Sequence, residues 1–226
     1  MGERCGWDRG SSNRLNLRHL PRFAGTTLFA RVARAVCRAE CLPRKELYEA
    51  WEVARRVRRR FRGGRVVELA CGHGLLAHLL LLLDDTAPGA VAVDRRVPES
   101  VPKLAAVLEA EWPRLAGRVE FLQADLEGVT LEAGDLVVSV HACGALTDRV
   151  LSLATAARAR LAVLPCCHDL DRADMGGLAG WMPGPLAVDA TRVARLGTLG
   201  YQVFTQQIPS DITPQNRLLL GEPRGG

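Results

Sequence analysis

The segment VVELACGHG, residues 66–74, constrains the fold more than any other part of this sequence. The compact apolar run RVVELA (65–70) predicts a buried strand, and the apolar run over 75–83 predicts a helix. Only Cys71, Gly72, His73 and Gly74 separate them. Glycines let so short a turn bring its backbone close to a ligand, with no side chain in the way. The amides that open the following helix can receive polar or anionic groups. Twenty residues beyond Gly74, the apolar run AVAVD ends on Asp94, and Asp125 follows the run VEFLQ. In an open α/β sheet these three features share the carboxyl-end rim, where ligands bind. The dinucleotide fingerprint G-x-G-x-x-G is incomplete, with Ala77 at its third glycine position.

The remaining sequence alternates in the same way. Strands are predicted at 65–70, 90–94, 119–123, 135–140, 160–165, 201–208 and 216–221. Helices are predicted at 75–83, 98–112, 145–157 and 187–199. Apolar strands separated by helices imply a mostly parallel sheet covered on both faces. The last two strands are joined by PSDITPQ alone, too short for a crossover helix, so they should pair antiparallel. The expected fold is Rossmann-like α/β, with seven strands and a terminal antiparallel hairpin. Residues 1–27 read as irregular, and two helices follow at 28–41 and 45–61. Gly63 and Gly64 stop the second. The chain therefore divides into a basic helical extension, 1–62, and a cofactor-binding domain, 63–226.

Charge separates these two parts. Residues 1–62 carry 16 basic and 6 acidic side chains, against 14 and 19 in the rest, within a net charge of +5. An anionic partner such as RNA would be steered to the extension; the alternative is a solvated helix face. The seven cysteines are an odd number, which argues against a disulfide framework and for a reducing, cytoplasmic setting. The N-terminal residues lack the apolar core of a signal peptide. The longest leucine run, 79–83, is far too short to cross a bilayer, so no membrane association is expected.

Glu68 lies inside the first strand, where a buried carboxylate needs a polar role. That favours a cationic sulfonium cofactor with an amino-acid tail over a nicotinamide dinucleotide. ELACGHG resembles the first motif of class I S-adenosylmethionine-dependent methyltransferases, usually E/D-x-G-x-G, with Ala70 at the first small position. Asp94 and Asp125 match the acids that end the second and third strands of that family. VSVHACGALTD (138–148), LPCCHD (164–169) and ITPQNRLLLG (212–221) resemble a narrower subgroup. It holds the Trm13 tRNA 2′-O-methyltransferases, the methyltransferase-like protein 25 group and the methyltransferase domain of the glutathione S-transferase C-terminal domain-containing protein. RKELYEAWEVAR (44–55) is similar to the segment that precedes their cofactor domain, while the zinc-binding modules of the Trm13 proteins have no counterpart here. The resemblance implies that Glu68, Gly72 and Gly74 hold the methionine part of S-adenosylmethionine, with Ala70, Cys71 and His73 completing the loop. It implies Asp94, flanked by Arg95, at the ribose and Asp125 with Leu126 at the adenine. His141 to Gly144, Ala142 included, would form the wall near the sulfonium and the substrate.

His141 and Cys143 follow the fourth strand, Cys166, Cys167 and His168 the fifth, and Cys71 the first. In a doubly wound sheet these strands are neighbours, so their loops can converge at the transferred methyl. A soft-metal site and covalent cysteine chemistry are both conceivable there. The preferred reading is a pocket lined by small thiols, in which a histidine orients or deprotonates the acceptor. His141, His168 and Cys166 are the catalytic candidates, with no metal. Lys45 is a further base or phosphate contact, and ITPQNR, with Asn216 and Arg217, could shape the cleft. The expected function is methyl transfer to RNA, possibly tRNA. The alternatives are a protein or small-molecule methyltransferase, and a non-catalytic RNA-binding or assembly protein that keeps the fold. The sequence names no protein partner.

Overall fold

The computed structural model describes residues 7–165 and 167–225. Its seven strands are β1 (Val66–Leu69), β2 (Ala90–Asp94), β3 (Val119–Gln123), β4 (Leu136–Ser139), β5 (Arg160–Val163), β6 (Tyr201–Gln207) and β7 (Arg217–Pro223). They form one sheet in the order β3-β2-β1-β4-β5-β7-β6. All pairings are parallel except those of β7, which runs antiparallel to both β5 and β6. The chain reverses its direction of travel across the sheet at β1 and β4, and that places a ligand crevice at the carboxyl end of β1.

Successive side chains of a strand point to opposite faces, and here they feed two separate cores. Val66, Leu136, Val138, Ala162, Leu218 and Leu220 join the core on one face; Val67, Leu69, Val137, Leu161, Val163 and Leu219 join the other. The first face is covered by α1 (Leu28–Ala39), α2 (Arg44–Arg60), α3 (Leu75–Leu83) and α4 (Val101–Glu111). The second is covered by α5 (Ala145–Ala156) and α6 (Gly184–Thr198). On that face the Tyr201 hydroxyl donates to the carbonyls of Ala154 and Ala159, tying β6 to the end of α5.

The segment before β1 shares the first core: Leu15, Phe23, Val36, Leu47, Val57 and Phe61 are buried with α3 and α4. Several of its arginines fasten it there. Arg31 and Arg38 reach Glu111 at the end of α4, Arg58 donates to the Leu83 carbonyl, and Arg60 pairs with Glu222 on β7.

Three local readings of the sequence are corrected. Residues 17–23, expected to be irregular, form a 3-10 helix whose first turn is held by Asn16 and His19. It has no apolar period and contains Pro21, so neither helical signal is present. Helix α6 starts at Gly184, three residues before the expected 187. Pro185 sits in its first turn, where the missing N–H costs nothing. Helix α4 starts at Val101 rather than at 98, with Pro98 accepting from the Val101 amide in the turn before it.

Candidate cofactor cleft and acceptor site

Backbone geometry sets the glycine loop. The chain leaves β1 with Ala70 at φ 54°, Gly72 at φ 52° and Gly74 at φ 68°, all left-handed. A side chain on Gly74 would strike the Phe121 ring at 2.6 Å, so only glycine lets β3 close over the loop. Ala70 bears a Cβ in the same backbone region, which costs about 1–2 kcal/mol. Glycine there would lose about 0.4–1 kcal/mol through the freer unfolded chain. Ala70→Gly is therefore expected to stabilise the protein by about 0.5–1 kcal/mol, or about 1–4 °C in a thermal scan. A lower melting temperature would mean that the Ala70 methyl makes contacts worth more than the strain.

Asp94 ends β2 beside the loop. Its carboxylate accepts from the Gly72 amide at 2.9 Å and from the Arg96 amide at 3.1 Å. It therefore fixes the loop while keeping lone pairs for a ligand. Around it opens a cleft of about 230 Å³, lined by Ala70, Asp94, Arg95, Asp125, Leu126 and Leu146, among others. Five of these were expected from the sequence. Leu146, from the first turn of α5, was not; its signal is its position directly behind HACG. Asp125 pairs with Arg95 at 2.7 Å on the exposed rim. Glu127 and Arg149 form a second ion pair at the cleft edge.

Glu68 is buried on β1 and accepts from the Ala77 amide at 2.8 Å, in the first turn of α3. Burial pushes its carboxyl up to about 8; the Ala77 bond opposes this, and the charges of Asp94 and Glu46 add to it. Helix capping is thus one polar role for this acid, and its raised affinity for a proton suits it to a cationic neighbour.

His141 leaves β4 beside the loop, its Cδ2 3.9 Å from where a Gly72 Cβ would stand. Burial pushes its imidazole down to about 4, helped by the charges of Lys45 and His73 and opposed by Asp94. It is therefore neutral at pH 7. Lys45 belongs to the N-terminal turn of α2, which the fold brings to the glycine loop. There His73 Nδ1 lies 3.9 Å from Glu46 and its Nε2 lies 3.0 Å from Ser100 Oγ. Lys45 Nζ lies 3.5 Å from the buried Glu49. Burial, with the charge of Glu49, pushes Glu46 up to about 7. Lys45 stands out in the sequence of this turn but neither glutamate does, because nothing local links residue 46 to residue 73.

The other Cys/His candidates separate. Cys71 is buried, and burial raises its thiol far above the thiolate range. Ala142 is fully buried, with its carbonyl taken by Thr147 at 2.6 Å. The β4 and β5 loops do meet, Gly144 N donating to Cys167 O at 3.2 Å. His168, however, is taken up by the fold: its side chain is 2% exposed and its Nε2 lies 2.8 Å from Asp189 on α6. Asp189 also receives Arg217 at 2.6 Å and Arg192 at 3.2 Å, and Arg192 forks onto Asp148. Burial would raise the Asp189 carboxyl, but hydrogen bonds from His168 and Arg217 hold it below the usual carboxylate range. This network ties the β5 loop to α5, α6 and β7. Asn216 closes the β6–β7 connection by donating to the Ile208 carbonyl. Cys166 lies outside the described residues. Among those described, no three His, Cys, Asp or Glu groups converge as a metal site, and no helix is long and apolar enough to cross a membrane.

A family model described as a methyltransferase domain matches residues 45–173, from the head of α2 to just beyond β5. No curated protein matches the sequence. Among solved structures, the chain resembles an O-methyltransferase family protein from Burkholderia thailandensis, with a TM-score of 0.55 and 21% identity. That match covers 96% of this chain and 66% of the other, so the chain spans just under two thirds of its relative. Mitomycin 7-O-methyltransferase MmcR gives a TM-score of 0.51 at 19% identity, covering 91% of this chain and 66% of that one. A ribosomal protein L11 methylase from Lactobacillus delbrueckii subsp. bulgaricus gives 0.50 at 11%, covering 80% and 79%. Identities this low speak for a shared fold alone.

Proposed function

The chain belongs to the methyltransferase-domain family, whose members draw the methyl group from S-adenosylmethionine, and we propose that it transfers that group to RNA. The observation that carries the donor half is the cleft of Ala70, Asp94, Asp125 and Leu126, beside a neutral His141. These residues suit the cofactor chemically. The Asp94 carboxylate, already oriented by two amides, would accept from the ribose hydroxyls. Leu126 and Leu146 offer apolar walls to an aromatic base, with Asp125 able to accept from its exocyclic amine. Glu68 and the glycine loop would face the amino-acid end, where a cation would favour the charged form of Glu68. When bound, the cofactor supplies an electrophilic methyl on sulfur.

The protein's share of methyl transfer is then alignment and proton handling. A neutral imidazole at His141 has a lone pair to accept a hydrogen bond from an acceptor O–H or N–H, and so to orient it. The Lys45 ammonium beside it opposes a standing positive charge on the ring. His168 would act at one remove, by holding the β5 loop on Asp189.

Two features support RNA as acceptor. One is the excess of basic side chains before residue 63. The other is the resemblance of HACG, PCCH and ITPQNR to the Trm13 subgroup, which extends the proposal to tRNA. On this reading residues 1–62 recognise the acceptor and residues 63–226 bind the cofactor, in a cytoplasmic enzyme. Incubation with labelled cofactor and total RNA is expected to transfer label to RNA, and nucleoside mass mapping to identify the methylated atom. Label appearing only in protein or small molecules would refute RNA as the acceptor.

A further inference from the structure

A groove of about 540 Å³ opens where the N-terminal segment crosses α1 and α2, beginning one turn along α2 from Lys45. Phe29, Tyr48 and Trp51 line it, with Arg9 and Arg55 at its rim. Phe29 lies 5.2 Å from both other rings, at 41° to Tyr48 and 51° to Trp51. Phe29 and Trp51 are half-buried, so part of each ring stays open. Tyr48 is fixed beneath them: its hydroxyl accepts from Trp7 Nε1 at 2.9 Å. Trp7 in turn lies under the Arg44 guanidinium, 3.5 Å from its ring centroid.

We propose that this groove binds an unpaired nucleobase of the RNA, stacked on Trp51 and Phe29, with an adjoining phosphate held by Arg9 and Arg55. The proposal rests on RNA being the acceptor and assigns it a second contact away from the reacting atoms. Rigid aromatic faces with guanidinium groups at the rim are the elements that hold single-stranded nucleic acid. Arg31, Arg38, Arg58 and Arg60 are committed to α4, α3 and β7, so they are not the ones to meet a phosphate. Arg9 forks onto the exposed Asp211, and the part-exposed Arg55 lies 3.3 Å from Glu52, which also pairs with Arg56. The Arg55–Glu52 contact is long and single, so a phosphate can compete for Arg55, whereas Arg9 would take one in exchange for Asp211. Glu52 inside the groove disfavours a phosphate there and favours a base that presents donors.

Helix α2 joins the groove to the acceptor site. Its residues advance 100° and about 1.5 Å each. Lys45 and Glu46 meet the glycine-loop side, and Tyr48, Trp51 and Arg55 lie on a face about 130° round the axis from them. Trp51 is six residues from Lys45, about 9 Å along the axis. An RNA strand that lays a base in the groove would pass round α2 to present another of its nucleotides to His141.

The test is fluorescence anisotropy of a labelled single-stranded RNA of about 12 nucleotides with the full chain and its variants. S-adenosylhomocysteine affinity, by calorimetry, reports that each variant is folded. Trp51→Ala is expected to weaken RNA binding about tenfold, Trp51→Phe to restore most of it, and neither to alter S-adenosylhomocysteine binding. Arg55→Gln, which leaves the rings in place, is expected to lower the salt dependence of log Kd by about one phosphate's worth. If Trp51→Ala and Arg55→Gln bind RNA as the unaltered protein does, the groove assignment is wrong while RNA can still be the acceptor. If the unaltered protein neither binds this RNA nor methylates total RNA, both assignments fall together.

Discussion

Asp94→Ala is expected to reduce S-adenosylmethionine affinity by at least about 30-fold. A charged acceptor contributes about 1.5–3 kcal/mol per hydrogen bond, and two ribose hydroxyls would lose their partner together. The same substitution releases the Gly72 amide, which Asp94 now holds at 2.9 Å, so the glycine loop loosens as the cofactor contact is lost. Calorimetric titration would give the affinity, and circular dichroism would show the fold intact. Asp125→Ala should cost less than about tenfold, because Asp125 sits on the exposed rim and is already paired with Arg95. Equal losses from the two variants would mean that the ribose is held elsewhere.

His141→Ala is expected to act on turnover instead, lowering kcat about 100-fold, the low end of a positioned proton acceptor's contribution, while cofactor affinity changes little. A stability measurement gives a second check. The His141 imidazole is held at about 4, below its ordinary 6.5, with burial as the main cause. Between those values the unfolded chain binds more protons than the folded one, so His141 makes the native state less stable as pH falls through that window. His141→Ala removes this effect. The variant should therefore gain stability relative to the unaltered protein on going from pH 7 to pH 5, as read from denaturant midpoints. Unchanged turnover, with the same pH dependence in both proteins, would remove His141 from the site.

What could be read in the chain follows from how far each signal reaches. The strand-loop-helix unit at 65–83 was legible because its apolar run, turn glycines and leucine helix are all local. Asp94 and Asp125 were legible because a parallel sheet puts every strand's end on one rim. The antiparallel pairing of β6 and β7 followed from the short connection between them. The 3-10 helix at Leu17–Phe23 was not legible, because its stop and start signals lie in one Asn–His pair and its length is too short for a period. His168 was placed at the reacting end on its chain position alone. Its partner Asp189 lies 21 residues away in the chain, and only packing of α6 against the β5 loop reveals that the imidazole is buried against that carboxylate.

The sequence by itself determined the alternating sheet, the glycine loop and the acids at the strand ends, since periodicity and turn chemistry depend on near neighbours in the chain. Only the tertiary structure brought the head of α2 to the glycine loop, turned Glu68 onto the Ala77 amide of α3 and buried His168 against Asp189. It also gathered Phe29, Tyr48 and Trp51 into a groove. Each of these arises from contact between segments far apart in the chain, where packing and desolvation, not local pattern, select the partner.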